Sequence, residues 1–201
     1  MLPNGYTQVE YIQSTNTGGQ YIDLNIKLYE TLNTNYDIAI KFNIIGQGLN
    51  NTTNAAIFAC QDPNISPWPG TFIRRTANSN NVVGRYIGGT AKDNTIGKVN
   101  TIIELPIQTP PNKNVTNLSN SGKTHSYGTS LFCIFGDTNN TARDFTEAKL
   151  YYFKLFVEGV LVRNMIPCIS PNNVVGLFDA AGRKFYSSPN GATFVAGPVV
   201  S

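Results

Sequence analysis

The chain has 201 residues, of which 41% are hydrophobic and only 13% charged, with a net charge of +3. The charged share is about half that of an average globular protein, and the 11 Phe and 10 Tyr are far from the aromatic-poor, highly charged composition of disordered chains. The fifteen Lys and Arg are scattered, the densest group being Arg74 and Arg75 with Arg85 and Lys92, so the basic stripe that nucleic-acid binding needs is missing.

Period-2 alternation runs through the chain and no window sustains a helical period. Strands are predicted near 6–13 and 20–27. The clearest follows at 36–44, where Tyr36, Ile38, Ile40, Phe42 and Ile44 fall on one face and Asp37, Ala39, Lys41 and Asn43 on the other. A strand at 55–60 leads into 61–80, which holds three prolines and the only tryptophan and reads as a long loop. Further strands are expected at 82–87 and 99–105, a second long Pro-, Asn- and Ser-rich loop at 106–124, and a strand at 130–135. Tyr151, Phe153, Leu155 and Val157 then form a core face opposite Tyr152, Lys154 and Phe156. That outer face is aromatic enough to call for a covering loop or neighbouring subunit. Glu158-Gly159 between two apolar runs predicts a tight hairpin, because glycine tolerates the positive φ of primed turns. Strands at 174–178 and 193–196, with turns at 179–182 and 189–191, complete an antiparallel sandwich or jelly roll. No linker or repeat divides the chain, so 1–201 is read as one domain, a normal length for a large sandwich.

Chemistry-bearing patterns are sparse. The single histidine, His125, reads as a surface loop residue, and no G-x-S-x-G elbow accompanies it. The five glutamates, Glu10, Glu30, Glu104, Glu147 and Glu158, are isolated, whereas glycoside hydrolysis needs two carboxylates at a set separation. The chain is therefore expected not to be an enzyme. Gly122-Lys123-Thr124 resembles the end of a phosphate-binding loop, but Asn117 stands where that loop requires glycine. Asp137, Asn139, Asn140 and Asp144 offer oxygens without the spacing of a calcium loop, and read as turn formers. No metal or cofactor is expected. Cys60, Cys133 and Cys168, odd in number and without a CxxC, read as buried free thiols. The N-x-S/T tripeptides at Asn51, Asn114, Asn117 and Asn139 carry no glycosylation meaning without a secretory route. MLPNGYTQVE lacks a basic start and an apolar core, and LYYFKLFVEGVLV is too short and too charged to span a bilayer, so neither export signal nor membrane anchor is expected. One binding candidate stands out. Trp68, stiffened between Pro67 and Pro69, offers a platform for a sugar ring, with Arg74 and Arg75 as hydrogen-bond donors; the alternative is that Trp68 plugs the end of the sandwich or a subunit contact.

The two ends carry a further pattern: Leu2-Pro3-Asn4-Gly5-Tyr6, Val9-Glu10-Tyr11-Ile12 and Gln20-Tyr21-Ile22-Asp23 at the start, then Glu158 to Arg163, Ile166-Pro167-Cys168, Val175 to Asp179 and Gly182 to Tyr186. In these segments, about half its length, the chain resembles the concanavalin/laminin-G-like jelly-roll module of tailed-bacteriophage and prophage structural proteins. The resemblance implies a non-enzymatic virion protein on the particle surface (a capsid decoration, auxiliary or head-fibre protein, or a tail component), made in the bacterial cytoplasm. Its implied partners are other capsid, fibre or tail proteins and further copies of itself. Where relatives append this module to a long tail protein, here it makes up the chain, which favours a separate decoration or head-fibre subunit. The alternative is a carbohydrate-binding adhesin for host-surface or mucin glycans.

Overall fold

The computed structural model describes residues 1–15, 19–27, 36–45, 54–61, 70–85, 93–106, 128–135 and 141–201. In chain order the described strands are β1 (Thr7–Gln8), β2 (Ile12–Gln13), β3 (Ile22–Asp23), β4 (Tyr36–Ile44), β5 (Ala55–Gln61), β6 (Gly70–Arg75), β7 (Asn81–Arg85), β8 (Asp93–Lys98) and β9 (Ile103–Leu105). They continue with β10 (Ser130–Leu131), β11 (Ile134–Phe135), β12 (Ala142–Arg143), β13 (Ala148–Val157), β14 (Val160–Ile169), β15 (Val175–Asp179), β16 (Lys184–Tyr186) and β17 (Val195–Ala196). No helix occurs among the described residues. The fold is an all-β antiparallel sandwich in which the described residues form a nine-stranded and a six-stranded sheet, with β11 and β12 making a two-stranded ribbon.

In the larger sheet β13 pairs with β4 along one edge. Its other edge pairs with β14 over Phe153–Val157 and with β2 at Lys149 and Leu150. Past Met165, β14 leaves β13 and pairs with β1 instead. Residues 7–13 thus fill the fork between the two diverging strands. Pro167 stands in that fork: it has no N–H to give, and its carbonyl accepts from the Val9 N–H at 3.1 Å. On the far side of residues 7–13, β17 pairs with β2, so both ends of the chain lie in one sheet. The order runs on from β14 through β15 to β16, the last strand on that side. The hairpin joining β13 to β14 has φ of 49° at Glu158 and 76° at Gly159, the doubly positive pair of a type I′ turn.

Ile38, Ile40, Phe42 and Ile44 of β4 are buried as their alternation predicts. β13 departs from simple alternation. Its register against β4 passes from Leu150–Phe42 to Tyr152–Lys41, leaving Tyr151 as a bulge. Leu150 and Phe153 therefore both point inward, fully buried, and Tyr151 is turned out against Tyr11, ring centroids 5.4 Å apart. This corrects the expectation that Tyr151 shares the inner face. The aromatic outer face finds partners within its own sheet: the Tyr152 hydroxyl donates to Glu104 Oε1 at 3.0 Å, and Lys41 Nζ lies 3.4 Å from Glu104 Oε2. Lys149 sits over the Tyr11 ring at 4.4 Å.

The six-stranded sheet runs β3-β10-β5-β6-β7-β8. One core cluster draws on both sheets, including Ile22, Phe58, Ile73 and Leu131 from the smaller and Phe42, Phe153, Leu155 and Leu177 from the larger. The Phe58 and Phe153 rings meet across the seam at 5.4 Å. On the other face of the smaller sheet Ala56, Ala59, Phe72 and Val83 are covered by Ile134, which accounts for the unbroken apolar run of β5. β6 and β8 were not expected, β6 lying inside the stretch read as a loop. The predicted strand 130–135 is split at Phe132, whose φ of 66° separates β10 from β11 and sends them to different sheets.

Truncating the seam tests this arrangement. Phe153→Ala is expected to cost about 3–5 kcal/mol, measured by urea denaturation. A loss below about 1 kcal/mol would mean that the two sheets do not share this core.

Candidate functional site: a groove between two sheet edges

Among the described strands β3 ends the smaller sheet and β16 ends the larger one, and between them lies an open groove of about 400 Å³. Tyr21, Asp23 and Asn25 come from the β3 side; Lys184, Phe185, Tyr186, Ser187 and Pro189 come from the β16 side. On the β3 side the groove residues recur at i and i+2, as one face of a strand requires, whereas on the β16 side Lys184 to Ser187 follow one another without a gap.

Hydrogen bonds tie the walls together at both ends. At one end the Tyr21 N–H donates to Ser188 Oγ at 3.1 Å, and that hydroxyl donates to Asn190 Oδ1 at 2.7 Å. Asn190 Nδ2 reaches the Gly19 carbonyl at 3.1 Å, and Gln20 Nε2 the Thr193 carbonyl at 2.7 Å. These contacts depend on the predicted turn at 189–191, where Gly191 takes a φ of 79°. At the other end Arg163 of β14 donates to the Leu24 carbonyl through Nε at 3.3 Å and Nη2 at 2.9 Å. Fully buried Asp179 faces it, Oδ2 being 3.6 Å from Arg163 Nε. Asp179 Oδ1 accepts from the N–H groups of Asn164 at 2.8 Å and Ala181 at 3.0 Å. The groove is thus held open between two clamps.

Its electrostatics follow from this setting. Burial pushes the Tyr21 hydroxyl above its usual pKa, with Cys133 and the Asp23 carboxylate adding to the effect. Burial likewise raises Tyr186; Arg163 opposes the shift, and Asp179 and Asp23 reinforce it. Both phenols stay protonated at neutral pH and keep a donor. Tyr21 is braced edge-on by Phe135 at 5.9 Å and also touches Phe145 at 6.2 Å. Asp23 Oδ1 accepts the Asn25 N–H at 2.7 Å, an Asx turn that sets Asn25 at a φ of 51°. Lys184 is exposed, with Nζ 5.0 Å from the Tyr186 ring centroid.

Of the residues singled out in the sequence, Trp68 lies outside the described residues, as do His125, Asp137, Asn139 and Asn140. Arg74 and Arg75 are adjacent in β6 and point to opposite faces. Arg74 lies 4.1 Å from the Phe72 ring centroid, whereas Arg75 is only 3% exposed and burial lowers its pKa. The two therefore do not form one surface. Asp144, at a φ of 51°, is pushed up by burial while Arg143 and Arg74 pull it down. No group of three or more His, Cys, Asp or Glu able to hold a metal occurs among the described residues. Cys60, Cys133 and Cys168 are buried and form no disulfide; burial pushes Cys133 up to about 12 and Cys168 up to about 11.

No protein-family model, curated protein or solved structure matches the chain. Tyr21, Asp23, Lys184, Phe185 and Tyr186 fall in two of the segments that carry the resemblance, Gln20–Asp23 and Gly182–Tyr186, neither of which was read as a site. The available signal was the i, i+2 spacing of an aromatic with a charged residue, Tyr21 with Asp23 and Lys184 with Tyr186.

Removing the acid of the buried clamp leaves Arg163 without its counter-charge. Asp179→Ala is expected to cost about 3–5 kcal/mol in chemical denaturation, and an unchanged midpoint would deny the clamp its structural role. The raised thiols predict that Cys133 and Cys168 resist a thiolate-selective reagent at pH 8 in the folded protein and react once it is unfolded. Since their folded pKa values lie above the ordinary 9.0, the stability linked to them is complete below about pH 9 and is lost as pH rises toward 11–12. Rapid labelling of either thiol in the folded state would contradict the burial.

Proposed function

We propose that the protein is a non-enzymatic structural component of a bacteriophage particle, displayed on its surface as a capsid decoration, auxiliary or head-fibre protein, or as a tail component. The observation that carries this reading is where the resembling segments go. β1 and β2 from the start of the chain pair with β14 and β17 from its end, and β15 and β16 extend the same sheet. The strands formed by the motifs that resemble the phage module thus lie in the larger sheet, apart from β3 of Gln20–Asp23, which belongs to the smaller one. A low-charge surface suits a subunit that packs beside other capsid, fibre or tail proteins and beside copies of itself.

A second reading, a carbohydrate-binding adhesin for host-surface or mucin glycans, is favoured by the groove between β3 and β16, where aromatic rings and hydrogen-bonding groups line one open cleft. The two readings are compatible, since weak display modules gain from multivalency.

Immunogold electron microscopy of purified particles, with an antibody against this chain, tests the first reading. Label on head or tail is the expected result. Unlabelled particles, with the protein confined to the host fraction, would overturn it.

A further inference from the structure

We infer that the groove between β3 and β16 is a subsite for a neutral pyranose unit of a polysaccharide. This deepens the carbohydrate-binding reading and rests on it. A pyranose is amphipathic: its C–H face seeks an aromatic ring, while its rim of hydroxyls needs donors and acceptors together. The groove supplies both. The half-buried Tyr21 brings a ring and a hydroxyl donor, Asp23 an acceptor, Asn25 both kinds of group and Lys184 a donor, while Tyr186, only 8% exposed, packs into the core at the groove's margin.

Size and rigidity agree with that occupant. About 400 Å³ lies toward the small end of the roughly 300–1,000 Å³ range of ligand clefts, enough for a single unit or a short stretch of chain. The Ser188–Tyr21 and Arg163–Leu24 bonds hold the walls in place. Tyr21 is wedged against Phe135 and Phe145, so little side-chain freedom is lost when a ligand arrives.

Charge selects among ligands. Among the described residues the lining contains one acid, Asp23, and one base, Lys184, and the nearby Arg163 is engaged by Leu24, Val162 and Asp179. A phosphate or uronate would find a single lysine and meet the Asp23 carboxylate. A neutral sugar meets no such conflict.

Saturation-transfer NMR tests the assignment, using millimolar malto-, cello-, manno- and chitotriose as neutral probes and a galacturonic acid trimer as the acidic one. The expected result is transfer to at least one neutral trisaccharide. In Lys184→Ala and Tyr21→Phe, affinity for it should fall about threefold to tenfold each, the loss of one hydrogen bond, with melting temperatures near that of the parent. Transfer to no probe would overturn both the carbohydrate reading and the subsite. Neutral-sugar binding undiminished in both variants would overturn the subsite alone and leave that reading standing. Binding of the acidic trimer in preference to the neutral ones would overturn the assignment of ligand class.

Discussion

Every backbone N–H and C=O along a buried strand has to find a partner, and in this protein that requirement is most demanding at β13. β4 satisfies one edge throughout. β14 serves the other edge only from Phe153 to Val157 and then peels away, so another segment must complete it. Residues 7–13 do so, and they in turn are covered by β17. The need to complete one strand thus recruits both ends of the chain into the larger sheet. It also leaves β14 free to carry β15 and β16 outward to the side where the groove forms.

The groove is a consequence of two sheets ending near one another. Their inner faces are joined by apolar contact, with Phe58 against Phe153, but edge strands offer unpaired backbone groups that apolar contact cannot satisfy. At this margin polar groups take over: Ser188 and Asn190 on one side, Arg163 and Asp179 on the other. Between them the walls stand apart, and the half-buried Tyr21 lies beside hydrogen-bonding groups.

Legibility in the sequence varied with the kind of interaction involved. The alternation of β4 and the Glu158-Gly159 turn were readable because each depends on a local rule, side-chain parity in one case and positive φ in the other. The inner face of β13 was not fully readable, because one bulged residue, Tyr151, reverses the parity of everything before it. β6 was hidden in a proline-rich stretch, and the split at Phe132 depends on two sheets competing for adjacent residues. At the candidate site, proximity in sequence was a poor guide. Arg74 and Arg75 are neighbours that diverge across β6, while Asp23 and Tyr186, far apart in the chain, line the same cleft.

By itself the sequence determined an all-β antiparallel sandwich, its main hairpin and the burial of its three cysteines, since period, turn chemistry and apolar runs act within a few residues. Only the tertiary structure decided which strands end each sheet, how the fork between β13 and β14 is filled, and which polar groups converge between β3 and β16. Those outcomes depend on pairings between residues more than a hundred positions apart, such as Gln8 with Cys168 and Tyr21 with Ser188. Such pairings are selected by the competition of strands for free edges, a property of the assembled sheets rather than of any one segment.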